Sequence, residues 1–296
     1  LSEAGRICLS ALAALVLCAP LYAAGGTAKP AVQNDQMHAA QKSALDWVKA
    51  AVQYQLDLVN NSDGQYMRYL QQRVDARGNQ QRDIVETREG FVSRITQQNG
   101  KPLTAEQNAS EVEHLQNLMS SPDELGKHHK REQNDLAYTR KMIQQLTTAM
   151  IWTLVPEQTN AQTVVIDYKA DPNYHPPSLD CAVLKSLSGR LWIDTQSGRM
   201  TRIEAHLDRD SDYGWGLLVH LNSGGKIILE QHPEDPEKSG HPHWETTSFE
   251  MHVTGSLLLL HHLNFDIVES HDHFSIVKGS PSYVDGIRML LEGPAK

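Results

Sequence analysis

The chain of 296 residues carries 15 histidines, and several fall in tight groups: His128-His129, His241-Pro242-His243, His261-His262 and His271-Asp272-His273. Two histidines at i and i+2 of a strand point the same way and can share a zinc or copper ion. The surroundings favour a plainer role. In residues 271–277 the alternation puts His271, His273 and Ser275 on one face and Phe274 and Ile276 on the other, which reads as a solvent-facing row of a strand. No HExxH, CxxC or compact carboxylate cluster accompanies the histidines, so neither a metal nor any other cofactor is assigned.

Other chemistry is also thinly supported. The serine turns Asn222-Ser223-Gly224 and Gln196-Ser197-Gly198 sit between strand-like runs, not in the strand-to-helix context of a nucleophile elbow. Asp194, Glu204 and Asp208 could work as paired carboxylates, but Arg190, Arg199, Arg202 and Arg209 lie close in sequence, and cross-strand ion pairing is the simpler role. There is no glycine-rich phosphate loop and no dinucleotide fingerprint. No catalytic residue is assigned.

What remains is binding by apolar surface. Residues 189–207, GRLWIDTQSGRMTRIEAHL, form a hairpin pattern in which Gly198 supplies the positive φ of a three-residue loop with a G1 bulge. Pairing Thr195 with Arg199 sets Leu191 opposite Ile203, Arg190 opposite Glu204 and Trp192 opposite Arg202, giving one apolar and one charged face. On the charged face Arg202 can brace Trp192 by a cation–π contact. The apolar face carries Leu191, Ile193, Ile203, Ala205 and Leu207, and later strands extend it with Phe249, Met251, Val253, Leu263, Phe265 and Ile267. These residues either are plain core or line an acyl-chain cavity. Burying a methylene is worth roughly 0.8 kcal/mol, so a long acyl chain supplies on the order of 10 kcal/mol without a charged contact.

A dry sheet face needs a cover. Residues 37–59 carry two adjacent helical stripes: Leu45, Val48, Val52, Leu56 and Val59 beside Ala44, Trp47, Ala51, Tyr54 and Leu58; Asn60 to Gly64 ends them. Residues 66–74 and 84–97 read as two half-exposed or edge strands, rich in Gln and Arg, separated by a loop around Gly78-Asn79. A helical insertion follows over 103–150: Thr104 and Gln107 fit a capping box ahead of Val112, Leu115, Leu118 and Met119. Ser121-Pro122 then starts a second helix, amphipathic through Leu136, Ile143, Leu146 and Met150. Strands fill the remainder: 163–168, the hairpin, 215–220, 226–231, 244–254, 257–268 and 271–277, with a Pro-rich acidic loop at 233–242.

At the N-terminus, residues 7–17 form a short apolar run after Arg6, followed by small residues to Ala24, the layout of a secretory signal peptide. Leu17 before Cys18 disfavours lipoprotein processing. Residues 1–24 are accordingly read as signal, 25–36 as linker, 37–277 as one domain and 278–296 as a surface tail. Beyond Cys18, Cys181 alone remains, read as a free, buried thiol. The net charge of −9 disfavours nucleic acid or an anionic membrane held by charge.

The order helix, two strands, two helices, then many strands defines an α+β class: a curved antiparallel half-barrel sheet covered on its concave face by an N-terminal helix and a two-helix insertion. This order, the run Gly100 to Gln107 and the hairpin strand Gly189 to Asp194 with its turn resemble the periplasmic lipoprotein carriers of the LolA/LolB/LppX-like superfamily, especially its longer lipoprotein-sorting-like members. The resemblance implies a non-enzymatic, exported protein of a Gram-negative type envelope that holds lipid or lipoprotein acyl chains under a helical lid. It places no functional residue on this chain. The alternatives are an envelope scaffold or interaction protein with a filled core, and a His-dependent metal enzyme.

Overall fold

A computed structural model describes residues 42–60, 66–213, 219–233, 244–257 and 261–293. The signal and linker segments, Cys18, the 61–64 helix stop, most of the 233–242 loop and the His241-Pro242-His243 group lie outside the described residues. The fold is α+β, as expected: thirteen strands join in one open antiparallel sheet.

The chain enters through α1 (Ala44–Asn60), whose first turn is fixed by Ser43 and Asp46 hydrogen-bonding reciprocally through side chain and backbone. Both predicted stripes are used: Ala44, Trp47, Val48 and Ala51 are buried in the main core. A meander follows of β1 (Tyr66–Asp75), β2 (Gly78–Thr87), β3 (Gly90–Gln98) and the short β4 (Lys101–Pro102). Two helices then stack over the sheet, α2 (Ala105–Ser120) and α3 (Pro122–Ala149). Thr104 and Gln107 form the predicted capping box, and the Ser121 side chain caps α3 with Pro122 in its first turn. The chain continues with β5 (Met150–Leu154), β6 (Thr163–Ala170), a 3-10 helix (Leu179–Ser186), β7 (Leu187–Asp194) and β8 (Met200–Leu207). It ends with β9 (Ser211–Tyr213), β10 (Val219–Leu221), β11 (Lys226–Pro233), β12 (Trp244–Leu257), β13 (His261–Val277) and α4 (Tyr283–Glu292).

In space the strands run β4-β3-β2-β1-β13-β12-β11-β8-β7-β6-β5, with β9 and β10 attached beside β12. Between β7 and β8 the pairs Arg190–Glu204, Leu191–Ile203 and Trp192–Arg202 occur as the hydrophobic pattern demands. A bulge past Trp192 then shifts Ile193 onto Met200. The hairpin therefore closes through the Asp194 N–H donating to the Arg199 carbonyl, with Gly198 at φ +70, instead of through Thr195 and Arg199. Gly189 is required by contact: a Cβ there would run into the Glu204 carbonyl and the Tyr168 ring, whose hydroxyl donates to that same carbonyl.

Four expectations change. The run 84–97 is two strands, not one, because the chain reverses at Arg88-Glu89, where Gly90 takes φ +122 and the Thr87 hydroxyl donates to the Gly90 carbonyl. β1 is no edge; it lies between β13 and β2, and its polar side chains pair mainly with those of these two neighbours. The runs 257–268 and 271–277 are not separate strands: residues 261–277 form one, β13, while Leu257 ends β12 and 258–260 lie outside the described residues. The tail is no tail: α4 is capped by Ser282 and Asp285 and packs Tyr283, Ile287 and Leu290 against Tyr66, Val85, Val92 and Leu115 in a second core on the outer side of β1–β3. Gly286 allows that approach, since a Cβ would sit 2.8 Å from both Thr87 and Val92 methyl carbons.

Candidate functional site

The inner face of the sheet is best followed along one cross-strand row. Ile166 pairs with Leu191, Leu191 with Ile203, Ile203 with Leu229, and Leu229 with Phe249. Phe249 pairs with Glu269, Glu269 with Arg73, and Arg73 with Gln80. The row is apolar across five strands and polar across the last three.

Helices α1 and α3 lie over the apolar part. Between them and the sheet is a cavity of about 50 Å³. From above it is lined by Val48, Ala51, Val52 and Gln55 of α1 and by Ile143 and Leu146 of α3. From below it is lined by Met150 and Trp152 of β5, Tyr168 of β6, Leu187 and Leu191 of β7, and Met200 and Ile203 of β8. Gln55 is the one side chain of these outside the hydrophobic set. The space accommodates roughly a few water-sized groups, far less than an acyl chain. Trp152 stacks tilted on Tyr168 at 5.3 Å and carries a buried indole N–H without an acceptor.

Of the ten predicted lining residues, Leu191 and Ile203 border the cavity. Ile193, Ala205, Leu207, Met251, Val253 and Phe265 are buried in the main core, as is Ile267, while Phe249 and Leu263 pack partly buried at its margin. The residues missed are those of the lid and of β5 and β6, together with Leu187 of β7 and Met200 of β8. The α1 stripe is legible, but nothing in one sequence says that its contact with the sheet is incomplete.

At the far end of the row lies a buried polar network that the sequence did not reveal. Arg73 is ion-paired with Glu269 and, at 2.8 Å, with Asp75. His271 was expected to face solvent; it is buried, 6% exposed. The reason is geometric. A register shift opposite Arg68 and Leu70 interrupts the alternation near His273, which takes φ +56, so His271 belongs to the inward row of Phe265, Ile267 and Glu269 and not to the outward side with Ser275. Its Nδ1 lies 2.9 Å from the Thr246 carbonyl, which can only accept, so this nitrogen carries a proton. Its Nε2 lies 3.2 Å from the Gln71 amide nitrogen and 3.5 Å from Glu269.

Electrostatics here follow from burial. Desolvation lifts the Glu86 carboxyl to about 7, although it accepts a 2.9 Å hydrogen bond from the Met67 N–H. Burial would likewise raise Glu269, but His271 and the Arg73 guanidinium outweigh it and hold the group below its ordinary value. Tyr69, stacked between His271 and Phe274, is driven well up by burial and then by Glu86, Glu245 and Glu269. Arg82 falls to about 10, through burial first and the neighbouring Arg73 and Arg77 second.

On the outer face of the hairpin, Arg190 and Arg202 are ion-paired, as expected, though not simply across the hairpin. Arg190 bridges to Asp167 at 2.6 Å instead of Glu204, and Arg202 pairs with Glu204 and Glu230. Arg202 also covers the Trp192 ring at 5.4 Å. Cys181 is buried, as read from the sequence. Among the described residues no three His, Cys, Asp or Glu side chains converge as a metal would need, and no helix is long and apolar enough to cross a membrane. No family model, curated protein or solved structure matches the chain.

Proposed function

We propose that the protein is an exported, non-enzymatic binder of lipid or lipoprotein acyl chains, which it holds between the concave sheet face and the α1/α3 lid. One observation carries this reading: the almost wholly apolar space between the lid and the sheet. Loading requires α1 to move, because the closed volume is too small. The cost is limited, since an entering chain replaces the contacts that Val48, Ala51 and Val52 give up, and each of its own methylenes contributes roughly 0.8 kcal/mol. Native mass spectrometry of protein from an exporting host, together with titration of a fluorescent fatty acid, tests the idea. Co-purified lipid and saturable uptake are expected; a lipid-free protein that takes up no probe contradicts it.

The small volume also favours a second reading, an envelope interaction protein with a filled core. That reading predicts partner capture in a pull-down that acyl ligands do not affect.

A further inference from the structure

Arg199 is the chain neighbour of one lining residue of the cavity and packs on the chain neighbour of another. It directly precedes Met200, which lines the space, and Tyr54, over which its guanidinium lies, directly precedes the lining Gln55. The guanidinium is 4.4 Å from the Tyr54 ring centroid and 5.7 Å from that of Trp244. It is half-buried, yet no carboxylate among the described residues forms an ion pair with it, in contrast to Arg68, Arg73, Arg190 and Arg202. Burial lowers its pKa, against which Tyr54 and Glu245 favour its charge. Aromatic faces hold a guanidinium in place while leaving its N–H edges free. A planar fork of donors matches a carboxylate.

We propose that Arg199 is the anion-binding residue of this cavity and that the ligand is a long-chain carboxylate, its chain under the lid and its head on the guanidinium. This rests on the acyl-binding reading above and adds the class of head group. The steric and chemical logic is that of an amphiphile: an apolar space with a positive charge beside its lining.

The test compares hexadecanoate with hexadecanol, of equal chain length, on the full chain, with acetate as a chainless control. Wild type is expected to bind hexadecanoate about tenfold more tightly than hexadecanol and to ignore millimolar acetate. Arg199→Gln should bring the ratio to about one, and Arg199→Lys should keep part of it. A wild-type ratio near one overturns the proposal without any variant, as does an unchanged ratio in Arg199→Gln, while the acyl reading survives both. If wild type binds neither long-chain ligand, both readings fall.

Discussion

One face of one sheet is built in two ways. Under α1 and α3 the row Ile166–Leu191–Ile203–Leu229 is apolar and leaves a cavity. Two strands further on, Glu269, Arg73 and Gln80 continue the same row with charge, and the surrounding Gln71, His271 and Thr246 exchange directional hydrogen bonds. Apolar contacts are non-directional and tolerate sliding or replacement by a ligand methylene. A buried ion pair tolerates neither, because a missing partner leaves a desolvated charge. On the proposed reading, the polar end holds the sheet in shape and the apolar end is the part that moves.

The largest effect should come from breaking the polar end. Arg73→Met leaves Glu269 buried without its cation; the two side chains are 15% and 11% exposed. Urea unfolding is expected to show a loss of about 3–5 kcal/mol. A loss below about 1 kcal/mol would mean that the network is solvated and the contrast false.

Glu86 sharpens the same point through pH. Its folded-state pKa of about 7 lies above the ordinary 4.5, so the folded protein holds a proton that the unfolded chain releases. Stability from this group is intact below about pH 4.5 and is lost as pH rises through 7. Glu86→Gln keeps an acceptor for the Met67 N–H and removes the titration. Unfolding curves at pH 5 and pH 8 should therefore show the variant close to wild type at pH 5 and more stable by roughly 1–3 kcal/mol at pH 8. Equal pH dependence in both proteins would contradict it.

The smallest change in stability is expected at the apolar end. Val52→Phe pushes a ring from α1 into the cavity, where space exists to receive it, so stability should shift by less than about 1.5 kcal/mol. Fatty-acid titration should nonetheless show binding weakened at least tenfold. Unaltered binding would place the ligand elsewhere.

The two ends also differ in how well a sequence announces them. The apolar end was legible, because alternation and helical stripes have fixed periods: the Leu191–Ile203 pairing, the capping box at Thr104 and the Ser121 start all follow from local rules. The polar end was not. Gln71, Arg73 and Gln80 look like a solvated edge until long-range pairing with β13 buries them, and nothing local marks the register shift that turns His271 inward. The same limit hid α4, whose ten residues become a helix face only against β2 and β3. In the site itself, Leu191 and Ile203 were foreseen, whereas Val48, Val52 and Met200 required knowing which surfaces meet imperfectly. Arg199 was set down as one more member of an ion-paired hairpin, and only the structure shows its guanidinium lying over Tyr54, with no ion pair to a carboxylate among the described residues.

The claim that the apolar end opens is tested most directly by native-state hydrogen exchange of α1, residues Ala44–Asn60, with and without hexadecanoate. The account predicts that α1 amides exchange through a local opening well below the global unfolding free energy measured in β12 and β13, and that the ligand slows them. Exchange of α1 only through global unfolding, unchanged by ligand, would contradict it.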